Sequence, residues 1–158
     1  MPVADPTTVR HEVVVEVPAE RAFVVFTEQF DAIKPREHNL LDSPIVETVF
    51  EPRVGGAVYD RAEDGSQCRW ARVLVFEPPH RVVISWDITP AWTVETDPGR
   101  SSEVEVQFIP DGPERTLVAL EHRHLDRHGD GWERERDSVD GPGGWPVYLE
   151  RFAGLADT

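Results

Sequence analysis

The sequence has little of three things that would define its class at once: cysteine, basic residues and long apolar runs. Cys68 is the only cysteine among 158 residues, so no internal disulfide can form. No apolar run approaches the roughly 20 residues that a membrane-spanning helix needs. The first twelve residues contain neither the basic nor the apolar region of a secretion signal. Together these absences predict a soluble protein of the reducing cytoplasm.

The charge balance excludes further classes of partner. The chain has 30 acidic residues against 16 lysines and arginines, which gives a net charge of −14. A protein that binds nucleic acid by neutralising phosphates needs a basic face, and an anionic membrane surface makes the same demand. We therefore predict neither nucleic acid nor membrane as a partner. We also predict no bound cofactor.

What is present is typical of one globular domain spanning residues 1–158. Hydrophobic residues make up 39% of the chain and charged residues 29%, which is too apolar for a disordered protein. Alternating apolar positions predict a first strand over 9–17 and, between residues 44 and 125, a series of strands joined by short turns. Apolar positions at three- and four-residue spacing predict helices over 19–30 and 145–155, and a short charged helix is predicted over 132–140. This order predicts an α+β fold with a curved antiparallel sheet of six or seven strands around a long C-terminal helix that starts near Gly144.

Histidine and cysteine are two residue types in the predicted strands that could carry chemistry. His122 and His124 share a strand face with Val118 and Leu120, and a His-x-His pair of this kind can bind zinc. A closed site needs further ligands of fixed geometry, so we interpret the pair as pocket-lining or structural and predict no metal. Cys68 lies in a strand with no surrounding catalytic motif, which is typical of a small buried side chain.

Large aromatic rings are numerous for a domain of this size. Some must fill the core, and others could form the wall of a cavity between the sheet and the C-terminal helix and stack on a conjugated ligand. Trp86, Trp145 and Phe152 are the strongest candidates for the wall, and Trp92 lies in a polar loop as a lid or a surface anchor. The complete set of predicted ligand-binding residues is Tyr59, Trp70, Trp86, Trp92, Phe108, His122, His124, Trp145, Tyr148, Leu149 and Phe152.

Several motifs carry a resemblance to a known family. They are VPAERAF at the first strand–helix junction, FEPRVGG at 50–56, EDGSQCRWARVLVFEPPHRVVISW at 63–86 and GPGGWPVYLERFAGL at the C-terminus. With these motifs the chain resembles the Hsp90-ATPase-activator-like branch of the superfamily of START domains and the birch-pollen allergen. The resemblance covers nearly the whole chain and implies the helix-grip fold.

A further resemblance is to the enediyne self-resistance proteins of actinobacteria. It is carried by VRHEVVVEV, DPGRSSEVEVQF and LEHRHLDRHG followed by GGWP. This resemblance implies a pocket that holds the drug. The loop that offers a glycine hydrogen donor in that group corresponds to residues 89–97, TPAWTVETD, which contain no glycine. The resemblance therefore implies the pocket rather than the radical-quenching reaction.

Three functions follow as hypotheses. The first is non-catalytic binding of a hydrophobic or conjugated small molecule, as a store, a carrier or an antibiotic-sequestering resistance factor. The second is a polyketide cyclase or aromatase, with His122, His124 and Tyr59 as proton-transfer groups and Arg69 or Arg72 as oxyanion partner. The third is a co-chaperone or other protein-binding module. A homodimer is one assembly that the sequence leaves open.

Overall fold

The computed structural model describes residues 5–158. The N-terminal segment that is predicted to lack a secretion signal covers residues 1–12, and its first four residues lie outside the described residues. Its strands are β1 Val9–Val15, β2 Ile45–Phe50, β3 Ala57–Ala62, β4 Gln67–Glu77, β5 Arg81–Trp86, β6 Ser102–Pro110 and β7 Thr116–Arg123. Its α-helices are α1 Ala19–Glu28, α2 Phe30–Ile33, α3 Trp132–Asp140 and α4 Trp145–Ala156. Short 3-10 turns cover Pro98–Arg100 and Leu125–His128. None of the helices in the described part of the chain is long and apolar enough to cross a membrane.

The strands form one antiparallel sheet in the order β1-β7-β6-β5-β4-β3-β2. Register shifts interrupt the pairing of β2 with β3, β3 with β4 and β4 with β5. Bulges of this kind bend and twist the strands that carry them, so they curl one side of the sheet. Helix α4 lies against the concave face. The predicted α+β fold, a curved antiparallel sheet around a C-terminal helix, is confirmed with seven strands.

The first helical segment covers part of the concave face and then breaks. Helix α1 follows Pro18 and buries Ala22, Phe23 and Phe26 along one side. The single helix predicted over 19–30 is wrong at its end, because Gln29 leaves helical geometry at φ −112° and ψ 23°. The chain resumes as the short α2 and buries Phe30. This break sends the following chain, residues 34–40, across the open end of the sheet.

Helix α4 begins where predicted, and Gly144 explains how. A Cβ atom at this position would lie 2.1 Å from the carbonyl oxygen of Val139, so no side chain fits there. The glycine lets α3 and α4 meet at a sharp corner, with Pro146 in the first turn of α4. Helix α4 buries Trp145, Tyr148, Leu149, Phe152 and Ala156.

Two predicted strand ends are wrong. The first strand was predicted over 9–17, but β1 ends at Val15. The last strand was predicted to continue through His124, but β7 ends at Arg123 and His124 adopts a left-handed conformation with φ 63°. The turn exposes His124 and buries Leu125. Strand β5 ends at Trp86, and Ile88 beyond it makes only an isolated bridge to Val94. After β5 and after β7 the chain leaves the sheet, and the apolar side chains Ile88 and Leu125 are buried there.

Candidate ligand-binding cavity

A cavity of about 580 Å³ lies between the middle of the sheet, residues 34–40 and the corner between α3 and α4. This volume is within the range of small-molecule pockets, roughly 300–1,000 Å³. Its aromatic lining residues are Trp70, Trp86, Trp92, Trp145 and Tyr148, and its charged or ionisable inner residues are Lys34, His38 and Asp60. Exposed Glu37, Asp137 and Pro142 belong to its rim.

Four of the aromatic rings form one continuous wall. The centroids of Trp70 and Trp86 are 5.6 Å apart at an interplanar angle of 72°. Trp145 follows at 5.4 Å from Trp86, and Tyr148 at 5.0 Å from Trp145. Each pair is edge-to-face or tilted, the arrangement that aromatic quadrupoles favour. The wall is therefore one continuous aromatic surface.

A buried ion pair lies at the inner side of the cavity. Lys34 Nζ is 3.1 Å from Asp60 Oδ2, and the two side chains are 5% and 2% exposed. Asp60 Oδ1 accepts a hydrogen bond of 2.7 Å from Thr48 Oγ1, and Lys34 Nζ also donates to the carbonyl oxygen of His38. Burial lowers the pKa of Lys34, while the Asp60 carboxylate acts in the opposite direction. A charged pair so deep in an apolar core is costly, so its position beside a cavity marks a candidate functional group.

His38 and Tyr148 form a second polar pair in the lining. His38 Nδ1 lies 2.9 Å from the Tyr148 hydroxyl oxygen, and the two rings stack with centroids 5.7 Å apart. Burial lowers the pKa of His38, and the charge of Lys34 acts in the same direction. Burial also raises the pKa of the Tyr148 phenol. At neutral pH the pair is therefore an uncharged imidazole hydrogen-bonded to an uncharged phenol, which can take up and return a proton.

A buried polar network fixes two tryptophans of the wall from behind. Trp86 Nε1 donates to Glu135 Oε2 at 2.9 Å, and Trp145 Nε1 donates to His122 Nδ1 at 3.1 Å. Ser102 Oγ lies 2.7 Å from Nε2 of both His122 and His128. The two indoles are thus each held by an ionisable side chain that does not itself line the cavity.

The hydrogen-bond partners assign the protons of this network. An indole N–H only donates, so His122 Nδ1 is an acceptor and its proton lies on Nε2. His122 Nε2 then donates to Ser102, whose hydroxyl donates to His128 Nε2. The His128 proton is consequently on Nδ1, which is buried and has no partner among the described residues. Burial supports the neutral states, because it lowers the pKa of His122 to about 3 and that of His128 to about 4.

Glu135 is the remaining ionisable group of the network. It lies in α3, is fully buried, and its Oε1 is 3.7 Å from His128 Nε2. Burial raises the pKa of its carboxyl group to about 7, although the Trp86 hydrogen bond acts in the opposite direction.

The structure brings five of the predicted ligand-binding residues to the cavity: Trp70, Trp86, Trp92, Trp145 and Tyr148. Phe108, Leu149 and Phe152 are buried in the hydrophobic core and are not among the residues that line the cavity. Tyr59 does not line the cavity either, since its neighbours Val58 and Asp60 point inward in an alternating strand. His122 lies behind Trp145 and His124 is exposed, so the predicted pair does not share a face.

The other chemistry predicted from sequence is also placed. Arg72 pairs with Asp87, Arg69 is exposed, and neither lines the cavity. Cys68 is buried, as predicted, and burial raises the pKa of its thiol. No group of three or more possible metal ligands occurs within residues 5–158.

Lys34, His38 and Asp60 were missed by the sequence analysis. One signal could have identified Asp60: it alternates with Val58 and Ala62 on the buried face of β3, where an acid is unusual. Lys34 and His38 lie outside regular strands and helices, and no periodicity marks which way such residues point.

The curved sheet, the C-terminal helix and the cavity between them define a helix-grip fold of the ligand-binding kind. The model of the family described as "Activator of Hsp90 ATPase homolog 1-like protein" matches residues 16–157. The chain belongs to this family. No curated protein matches the sequence.

Solved structures extend the comparison. An anthrahydroquino-γ-pyrone synthase, Txn09, solved in complex with a compound designated SUM, is 39% identical, with 94% of this chain and 96% of that chain covered and a TM-score of 0.65. CalC, a self-sacrificing resistance protein from Micromonospora echinospora, is 28% identical, with 97% and 96% covered and a TM-score of 0.66. Protein NE0264 from Nitrosomonas europaea shares the fold at 14% identity, with 99% and 97% covered and a TM-score of 0.66.

Proposed function

We propose that the protein binds a flat, polycyclic aromatic polyketide in this cavity and closes an oxygen-containing ring on it. The observation that carries the proposal is that one cavity combines a wall of four aromatic rings with the uncharged His38–Tyr148 pair. The wall provides a surface for the rings of the ligand, and the pair provides a route for a proton. The 39% identity to an anthrahydroquino-γ-pyrone synthase over nearly the whole of both chains supports the same reaction class.

The ring closure that we propose needs proton transfer and no other reagent. A phenolic oxygen of the substrate attacks a ketone of its side chain, and a C–O bond forms. The ketone oxygen leaves as water with two protons, one from the phenol and one from the adjacent methylene group. When His38 Nδ1–H donates to the Tyr148 oxygen, Nε2 of the imidazole has a free lone pair and can accept the phenolic proton. A pKa below its ordinary value keeps the imidazole unprotonated at neutral pH, so this lone pair is available to accept a proton.

The cavity also contributes by orientation. A substrate whose rings lie against Trp86 and Trp145 has few ways to place its side chain, because the wall is continuous and its indoles are held by Glu135 and His122. Restricting the side chain near the reacting oxygen raises the effective concentration of the two groups. The enzyme therefore needs only modest acid–base assistance.

A second candidate is sequestration of an aromatic natural product without turnover. The 28% identity to the self-sacrificing resistance protein CalC favours it. The loop over residues 89–97 contains no glycine, but it places Trp92 in the cavity lining with 45% of the side chain exposed. In this function Trp92 would cover a bound molecule, and His38 would have no catalytic part.

The deciding experiment is anaerobic incubation with an anthrahydroquinone that has a free phenol beside a 1,3-diketone side chain. We expect loss of one water from the substrate, and slowing by about 100-fold or more in His38→Gln, the usual range for loss of a general base. His80→Gln is the matched control, because His80 is exposed and does not line the cavity. Binding without conversion by the wild type would reject the cyclase and leave sequestration. Equal conversion by His38→Gln would reject the role of the His38–Tyr148 pair.

A further inference from the structure

We infer that Trp70 Nε1 and Lys34 Nζ form a donor subsite that selects ligands presenting a carbonyl or phenolic oxygen to the inner side of the cavity. The inference rests on the proposed function, since it names the chemical feature by which the aromatic ligand is recognised. It concerns recognition alone and does not depend on catalysis by His38.

The first observation is an unused donor in the wall. Trp70 is 2% exposed, and its Nε1 atom is buried without a hydrogen-bond partner among the described residues. The other two buried tryptophans of the wall have partners, since Trp86 donates to Glu135 and Trp145 donates to His122. A buried N–H that is left unpaired costs about 1–3 kcal/mol. A ligand oxygen at Trp70 would remove that cost.

The second observation is the ammonium group beside it. Lys34 Nζ lies 5.7 Å from the centroid of the Trp70 ring. An ammonium group has three N–H donors. Asp60 and the carbonyl oxygen of His38 accept two of them, so one donor remains for a ligand. Lys34, Asp60 and Trp70 all line the cavity, so a ligand there meets the residues that carry the unused donors.

Two donors without acceptors define what the ligand must bring. A quinone carbonyl has two lone pairs and can accept both hydrogen bonds, and so can a phenol oxygen, with greater strength when it is ionised. An aromatic hydrocarbon of the same shape fills the cavity equally well but leaves both donors unpaired. The subsite therefore distinguishes oxygenated polycyclic aromatics from hydrocarbons of the same size.

The test uses two probes of nearly the same shape, anthraquinone and anthracene, with dissociation constants from calorimetry. Trp70→Phe removes the N–H and keeps an aromatic ring, and no internal hydrogen bond is lost. We expect this variant to bind anthraquinone about 3- to 10-fold more weakly, the usual worth of one hydrogen bond, with a change below about 2-fold for anthracene. Trp86→Phe is the matched control, because its N–H is already used by Glu135, so both probes should weaken alike.

A second variant tests the Lys34 donor, and it keeps the inference testable if Trp70→Phe does not fold. The double substitution Lys34→Met with Asp60→Leu removes the ammonium donors and replaces the ion pair by apolar side chains, which avoids an uncompensated buried charge. It should show the same selective loss for anthraquinone. Equal weakening for both probes, or none, would overturn the inference and leave aromatic binding intact. Binding of neither probe by the wild type would overturn the proposed function as well.

Discussion

The space between the sheet and α4 has two ends that use aromatic residues in opposite ways. At the packed end, Phe108 of β6 and Phe152 of α4 meet rings from α1. Phe26 lies 5.8 Å from Phe108 and 5.6 Å from Phe152, and Phe23 lies 5.1 Å from Phe108, all edge-to-face. At the hollow end, Trp70, Trp86, Trp145 and Tyr148 make similar contacts with one another and line a cavity of about 580 Å³.

The difference comes from what covers each end. Helix α1 places two phenylalanines over the packed end, and it stops at Glu28 before it reaches the other. The hollow end is covered by residues 34–40 and by the glycine-rich corner over 141–144. These segments supply few large side chains, and they bring the polar groups Lys34 and His38. The segment opposite an aromatic ring therefore determines whether that ring packs in the core or lines the cavity. The position of the ring in its own strand or helix does not determine this.

The largest expected effects compare one ring from each end. Phe152→Ala and Trp145→Ala should each lower the free energy of unfolding by about 3–5 kcal/mol, because both side chains are buried. Only Trp145→Ala should also weaken binding of an anthraquinone, since only Trp145 lines the cavity. Denaturant unfolding and calorimetry measure the two quantities. A chemical melt of Trp145→Ala that matches the wild type would show that this ring does not support the fold.

The next effect uses pH to probe the network behind the hollow end. The pKa of Glu135 is about 7 in the folded protein, against an ordinary value of 4.5. Between these values the folded state holds a proton that the unfolded state has released, so the free energy of unfolding falls as pH rises through this window, and the contribution of the protonated Glu135 is fully lost above pH 7. Relative to Glu135→Gln, the wild type should lose about 3 kcal/mol between pH 4.5 and 7.5.

The comparison of these two chains isolates Glu135. His122 and His128 have lowered pKa values, so they reduce stability as pH falls below 6.5, but they are present in both chains and cancel in the difference. Urea unfolding at each pH gives the two curves. Parallel curves for wild type and variant would mean that Glu135 does not titrate in this range.

A smaller effect is expected for ligand affinity at Trp86. Its ring is the middle of the aromatic wall, between Trp70 and Trp145. Trp86→Ala should weaken binding of a polycyclic aromatic by about 1–3 kcal/mol, the scale of burying one large apolar group. Phe76→Leu, at the packed end beside Phe23, is the control and should leave affinity unchanged. Comparable losses for both variants would show that the two ends do not differ in binding.

The smallest expected effect is on stability at the rim. Trp92 is 45% exposed and lies in the loop between β5 and β6. Trp92→Ala should change the free energy of unfolding by no more than about 0.5 kcal/mol. Dissociation of the bound aromatic should become faster, which stopped-flow fluorescence can measure. A large loss of stability would place Trp92 in the core rather than over the cavity.

The order of elements and the class of fold could be predicted from the sequence alone. Strands β1 to β7 follow from alternating apolar residues, and α4 follows from the apolar stripe between Trp145 and Leu155. Both are local patterns, because a strand or helix that buries one face needs apolar residues at that spacing in any fold. The start of α4 was also predictable, because the glycines before Trp145 end one helix before another begins. Five residues of the cavity could also be predicted, because each is a large aromatic residue on the inward face of a strand or helix, or in a loop near that face.

Which inward faces line the cavity, and which polar groups meet there, depends on contacts between distant parts of the folded chain. Asp60 and Lys34 come from β3 and the chain after α2, and His38 and Tyr148 are 110 positions apart in sequence. No local pattern couples such residues, because their contact depends on how far the sheet curls and where α1 stops. His124 shows the same limit on a smaller scale: one residue in a left-handed turn removed it from the face that β7 shares with His122. Backbone conformation at a strand end depends on the contacts beyond it, here the burial of Leu125, and these exist only in the folded chain.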